Sequence, residues 1–165
     1  MKVRRPWAAY SLTAGIAIWG LSALAGGPGL FLTPDGSGLG FDPAILQHTP
    51  FADFLLPGVI LALLGVAGAA LTALLVRGVR ARGRRVSGHG SPSAWQWYFA
   101  LIVTLSQLVW MVGEIALLWS PVAGLPAEQK AFFYGFWWAF GLLSAANLLL
   151  ALAPSVRRVL GGPPR

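Results

Sequence analysis

The chain has no cysteine, only five acidic residues and two histidines among its 165 positions. Without cysteine there can be no disulfide, thiolate metal site or thiol redox chemistry. That excludes the quinone-linked disulfide oxidoreductases, which also use small helical bundles. His48 and His89 are expected at opposite faces of a membrane, so they cannot ligate one haem together. HxxE and HExxH spacings are missing as well, and no metal site or other cofactor is expected. Charge is scarce, at 10% of residues against 56% hydrophobic. This leaves room for one apolar bundle and no separate soluble catalytic module.

The apolar residues fall into four long stretches, at about 8–25, 54–76, 95–119 and 132–153. Each is close to the ~20 residues that cross ~30 Å of hydrocarbon at ~1.5 Å per residue. Lipid offers backbone groups no hydrogen-bond partner, so such runs must be helices or parts of a closed barrel. They lack the alternation of a barrel strand. The expected fold is therefore all-α: a polytopic four-helix transmembrane bundle, one domain over 1–165, with a structured loop between helices one and two.

Basic residues are distributed unevenly. Lys2, Arg4 and Arg5 precede the first stretch, Arg77, Arg80, Arg82, Arg84 and Arg85 follow the second, and Arg157, Arg158 and Arg165 follow the fourth. Of the twelve basic residues only Lys130 falls elsewhere. The positive-inside bias then places both termini and the basic loop 77–93 in the cytoplasm, and segments 26–53 and 120–131 outside. A multi-pass protein of the inner cell membrane is expected, with 154–165 as a basic inner tail. A net charge of +7 would also suit nucleic acid, but the arginines cluster at helix ends. Lipid headgroups are the better partner for Arg77, Arg80, Arg82, Arg84 and Arg85, and no nucleic acid is expected. A membrane-protein partner or a second copy of the chain stays open. The first stretch also has a secretory-signal reading, with its basic start and Ala23-Leu24-Ala25. Its length and the bulky Trp19 favour a retained helix.

The loop 26–53 is rich in turn signals. Gly26-Gly27-Pro28-Gly29 is expected to end the first helix, and Thr33-Pro34-Asp35-Gly36-Ser37-Gly38 reads as tight turns. Asp42-Pro43 supplies an N-cap followed by Pro at the first helical position. Residues 44–48 are thus expected as one helical turn, with Ile45 and Leu46 on the membrane surface. Thr49-Pro50 opens the second spanning helix, with Asp53 in its first turn and a bend at Pro57. The loop is expected to form a lid anchored by Leu30, Phe31, Leu32, Leu39 and Phe41.

Glu114 is the one ionisable residue well inside a spanning stretch. A carboxyl there is costly and normally faces the protein interior. Gln107, Trp110 and Glu114 share one helical face. His48 and Asp53 approach from the loop at similar depth, which gives a candidate polar cluster of Glu114, Gln107, Trp110, His48 and Asp53. Two readings stand side by side. The cluster binds a cation, proton or polar head, or Glu114 fixes the lid by bonding backbone freed near Pro57.

Other motifs carry less. Ser11, Ser22, Ser106 and Ser144 sit in helices without a GxSxG elbow, and their hydroxyls are expected to bond backbone. No catalytic residue is assigned. The run Gly36-Ser37-Gly38-Leu39-Gly40 follows no strand and opens no helix with Lys, so phosphate binding is not expected. Small residues four apart, such as Ser11 with Gly15, Gly65 with Ala69, and Gly141 with Ala145, allow close helix approach. Asn147 is an interhelical hydrogen-bond candidate. Trp95, Trp97 and Tyr98 at the inner end, and Trp119, Tyr134, Trp137 and Trp138 at the outer end, suit interfacial belts.

Gly38-Leu-Gly-Phe-Asp42, Thr49-Pro-Phe-Ala-Asp-Phe-Leu-Leu-Pro-Gly58 and the Gln107, Trp110, Glu114 face together resemble a group of small four-helix bacterial membrane proteins. The resemblance implies topology and no activity. Three functional classes remain, in order of how little each asks of the few polar groups. The first is a non-enzymatic subunit or scaffold binding lipid or another membrane component. The second is a small proton-coupled carrier using Glu114. The third is a membrane enzyme acting on lipid or quinone through His48 and Asp53.

Overall fold

The computed structural model describes residues 7–83 and 94–160, and they form an all-α four-helix bundle. The long helices are α1 (Trp7–Phe31), α2 (Leu55–Gly83), α3 (Trp95–Ala123) and α4 (Ala127–Leu152), followed by a short α5 (Pro154–Val159). All four are long and apolar enough to cross a bilayer, and the chain is a multi-pass integral membrane protein. Lys2, Arg4, Arg5, Arg84, Arg85, His89 and Arg165 lie outside the described residues, as do the side chains of Arg80 and Arg82.

The helices outrun the apolar stretches that announce them. Helix α1 does not stop at Gly26; it continues through Gly27, Pro28 and Gly29 to Phe31. Tertiary packing supplies the reason, because α2 lies against this segment more closely than any side chain would permit. A Cβ on Gly27 would stand 2.6 Å from the Ala62 amide nitrogen, and one on Gly58 only 2.5 Å from that of Phe31. Close backbone contact of this kind is a principal source of helix association in lipid. It outweighs the weak local preference for ending a helix at Gly and Pro.

Helix α2 begins at Leu55, whose N–H donates to the Asp53 carboxylate at 2.9 Å. Asp53 is therefore a cap placed before the helix. Pro57 then falls in the first turn, where its missing N–H would have had no partner anyway. The expected bend loses its cause.

At the same end, α3 runs through Pro121 to Ala123, and α4 starts at Ala127. The expected loop 120–131 shrinks to Gly124-Leu125-Pro126. Ala127-Glu-Gln-Lys130 are good helix formers, so hydropathy marks the polar boundary here and not the end of the helix. Glu128 sits in the first turn of α4, where a carboxylate favours the dipole.

The bundle has two apolar centres. At the arginine end, Leu12, Leu71, Leu75 and Ala100 pack with Val156 and Leu160. The segment expected as a basic tail thus folds back as α5 and closes the base. Arg157 lies 4.9 Å from the Trp97 ring centroid, and Trp97 Nε1 donates to the Ala151 carbonyl at 3.1 Å. At the other end Leu30, Met111, Leu118, Val122, Phe133 and Trp137 pack with the lid residues Ile45, Leu46 and Phe54.

Candidate functional site

The lid is built from its own short-range hydrogen bonds. Asp42 accepts from Ala44 N at 2.8 Å and so caps a 3-10 turn over Pro43–Leu46. Thr33 Oγ1 accepts from Gly38 N at 3.1 Å, and Phe54 N donates to the Pro34 carbonyl at 2.9 Å. Asp35 Oδ1 accepts both the Ser37 hydroxyl at 2.7 Å and the Ser37 amide at 3.1 Å. These bonds, the hydroxyl's first, hold the Asp35 carboxyl below its ordinary range. Gly36 turns the chain with φ 81°, a left-handed conformation that favours glycine. A Cβ there would also stand 2.5 Å from the Phe41 carbonyl oxygen.

Ile45 and Leu46 differ from the expectation. They are buried in the bundle and not laid on the membrane surface. Phe41 stacks among Phe54 and Phe133, with centroids 5.9 and 5.5 Å away. Of the other expected anchors Leu30 is buried and Phe31 half-buried, whereas Leu32 and Leu39 are exposed.

Beneath the lid lies a cavity of about 760 Å³, bounded by all four long helices. It exists because α1 grips α2 and α3 grips α4, while α2 and α3 meet only loosely. Leu105, Val109 and Leu117 of α3 face Ile60, Leu61 and Leu64 of α2 around it, and Phe132, Phe136 and Phe140 contribute aromatic wall from α4. Glu114 is the one ionisable side chain among the described residues that line it.

Glu114 is half-buried at this wall and accepts a hydrogen bond from Trp137 Nε1 at 3.1 Å. Trp110, one turn earlier on α3, lines the cavity with it. Trp137 is itself fixed by rings, with Phe133 and Tyr134 both 5.8 Å away and Trp119 stacked at 6.2 Å. It is a buried partner of the acid and does not belong to the interfacial belt, unlike exposed Trp119 and Trp138.

The five expected cluster residues do not gather at one point. Glu114 and Trp110 line the cavity. Gln107 is fully buried and accepts from Asn147 Nδ2 at 3.4 Å. The Gln107 Nε2 donor and Asn147 Oδ1 acceptor are left without partners. The two amides thus link α3 to α4 through a single bond. Asp53 is exposed and spends its carboxylate on the α2 cap, and His48 is exposed on the lid. Neither lines the cavity.

The site's missed member, Trp137, had a signal in the sequence. Phe133, Trp137, Ser144, Asn147 and Ala151 are the buried residues of α4, and they recur at spacings of three, four and seven. Ser144 and Asn147 mark that stripe as inward-facing. Ser144 donates to the Phe140 carbonyl at 2.7 Å, which commits its hydroxyl to backbone. Among the described residues no three His, Asp or Glu side chains are grouped closely enough to hold a metal ion.

No model of a known protein family, no curated protein and no solved structure matches this chain.

Proposed function

We propose that the protein is a non-enzymatic component of the inner cell membrane, with both termini in the cytoplasm, that holds a lipid-like molecule beneath its lid. One observation carries this reading: an apolar cavity of about 760 Å³ bounded by four spanning helices. That size falls within the roughly 300–1,000 Å³ of sites that hold one small ligand. Its wall is aliphatic and aromatic with few polar groups. A molecule dissolved in the bilayer would enter such a space without losing an aqueous shell. Arginine at the opposite end supports the orientation, which puts the lid outside.

Mass spectrometry of small molecules retained after mild detergent extraction tests the proposal. About one lipid-like molecule per chain is expected, and it should be lost in Gly113→Leu. Gly113 lines the cavity, and a Cβ added there meets nothing within 4 Å, so the new side chain fills space without breaking the helix. A wild-type chain that carries nothing, or a variant that carries the same molecule, contradicts it.

A carrier is the second reading, favoured by the position of Glu114 on the cavity wall. It requires proton-coupled flux that Glu114→Gln abolishes. A membrane enzyme gains less, since neither His48 nor Asp53 lines the space where a substrate would sit.

A further inference from the structure

The cavity wall is unbalanced in charge. Glu114 lines it, and among the described residues no lysine, arginine or histidine does. An ionised carboxylate in apolar surroundings is costly unless it is paired and hydrogen-bonded. Here the protein provides a neutral indole donor, Trp137 Nε1 at 3.1 Å, and Trp110 lines the same cavity one turn away on α3. A carboxylate has about four acceptor positions. One indole leaves acceptor positions free on a group that lines the cavity, and the missing complement is a cation with several N–H donors.

The surrounding surface suits the same group. Trp110 and Phe132, Phe133, Phe136 and Phe140 line the cavity with Glu114. On α4 the rings form a continuous face, with Phe132 and Phe136 stacked at 6.4 Å and Phe136 and Phe140 tilted at 4.7 Å. Ring faces attract ammonium groups, and more strongly where water is excluded. From Glu114 the cavity continues past Val109 to Leu105. The nine helical steps between them correspond to roughly 13 Å of depth, lined by aliphatic side chains that suit a hydrocarbon tail.

Resting on the cavity-ligand reading above, we propose that the occupant is a single-tailed amphiphile with a protonated amine head, seated with its nitrogen at Glu114. A carboxylate or phosphate head meets the charge of Glu114 without a compensating cation. A hydroxyl head brings one hydrogen bond and no charge.

Three probes of equal chain length, hexadecylamine, hexadecanol and hexadecanoic acid, separate these cases by competition binding to the full chain in a mild non-ionic detergent. The amine is expected to bind at least about tenfold more tightly than the alcohol, a difference of about 1.4 kcal/mol, with the acid weakest. In Glu114→Gln the amine's advantage should vanish while the alcohol still binds. In Gly113→Leu all three should lose binding. Equal binding of amine and alcohol to the wild type, or an amine preference that survives Glu114→Gln, overturns the head-group assignment and leaves the cavity reading standing. Failure of all three probes to bind the wild type removes the cavity reading itself. The wild-type comparison needs no variant, so a Glu114→Gln chain that does not fold leaves a decisive test in place.

Discussion

The Trp137 indole nitrogen stands 3.1 Å from a Glu114 carboxylate oxygen and ties α4 to α3 at the wall of the cavity. The bond joins residues 23 positions apart and gives the acid a donor from outside its own helix. Removing the N–H while keeping a ring tests its worth. Trp137→Phe is expected to cost about 1 kcal/mol, the net worth of one hydrogen bond to a half-buried acceptor. Unfolding in mixed micelles measures this, with exposed Trp138→Phe as a control that should stay within about 0.5 kcal/mol of wild type. Equal stability of the two variants would mean that the bond contributes nothing.

The α1–α2 seam makes a prediction of contrast. Gly27→Ala forces a methyl into space occupied by the Ala62 backbone, and overpacking of this kind typically costs about 1–3 kcal/mol. Gly141→Ala meets nothing within 4 Å and should be neutral to within about 0.5 kcal/mol. Thermal unfolding in detergent should rank Gly27→Ala clearly below Gly141→Ala. The reverse order would refute the packing described for α1 and α2.

Lid geometry predicts a difference between two glycines with similar backbones. Gly36 and Gly40 have φ of 81° and 70°, but only Gly36 is enclosed, by Phe41 and Phe54. Gly40→Asn should be tolerated, since Asn accepts this conformation and the space is open. Gly36→Asn should loosen the lid and raise amide exchange across residues 37–54. Similar exchange in both variants would argue against a docked lid.

Asp35 gives the lid a dependence on pH. Its carboxyl is held below the ordinary range by the Ser37 hydroxyl and then the Ser37 amide. A depressed folded-state value means that this contribution is complete above the unfolded value of about 3.9. It is lost as pH falls through the lower folded value. Side-chain carbonyl NMR should show Asp35 titrating below a model carboxylate, with Ser37→Ala moving it upward. An unchanged titration in the variant would exclude the Ser37 bonds as the cause.

The number of helices and the position of their middles were legible in the sequence, because spanning a bilayer demands long apolar runs. Their ends were not. α1 passes through Gly26-Gly27-Pro28-Gly29 only because α2 presses against it, a contact invisible in local propensity. α4 begins among Glu128, Gln129 and Lys130 because helix formation does not require apolar side chains. Ile45 and Leu46 were misplaced for a related reason: a short amphipathic turn reads the same on a membrane surface as beneath a lid. Glu114 and Gln107 are legible as costly polar residues in a spanning stretch, and the cap at Asp42 from its Asp-Pro pair. The partners Trp137 for Glu114 and Asn147 for Gln107 depended on which face of α4 turns inward. Leu160 likewise joins the core only because α5 folds back after Pro154.

The most direct test is an experimental density map of the chain in a lipid nanodisc. Elongated density is expected between Leu64 of α2 and Val109 of α3, with its polar end at Glu114 beneath the seated lid. A map in which α2 and α3 close on each other, with no space between Leu64 and Val109, would contradict this arrangement.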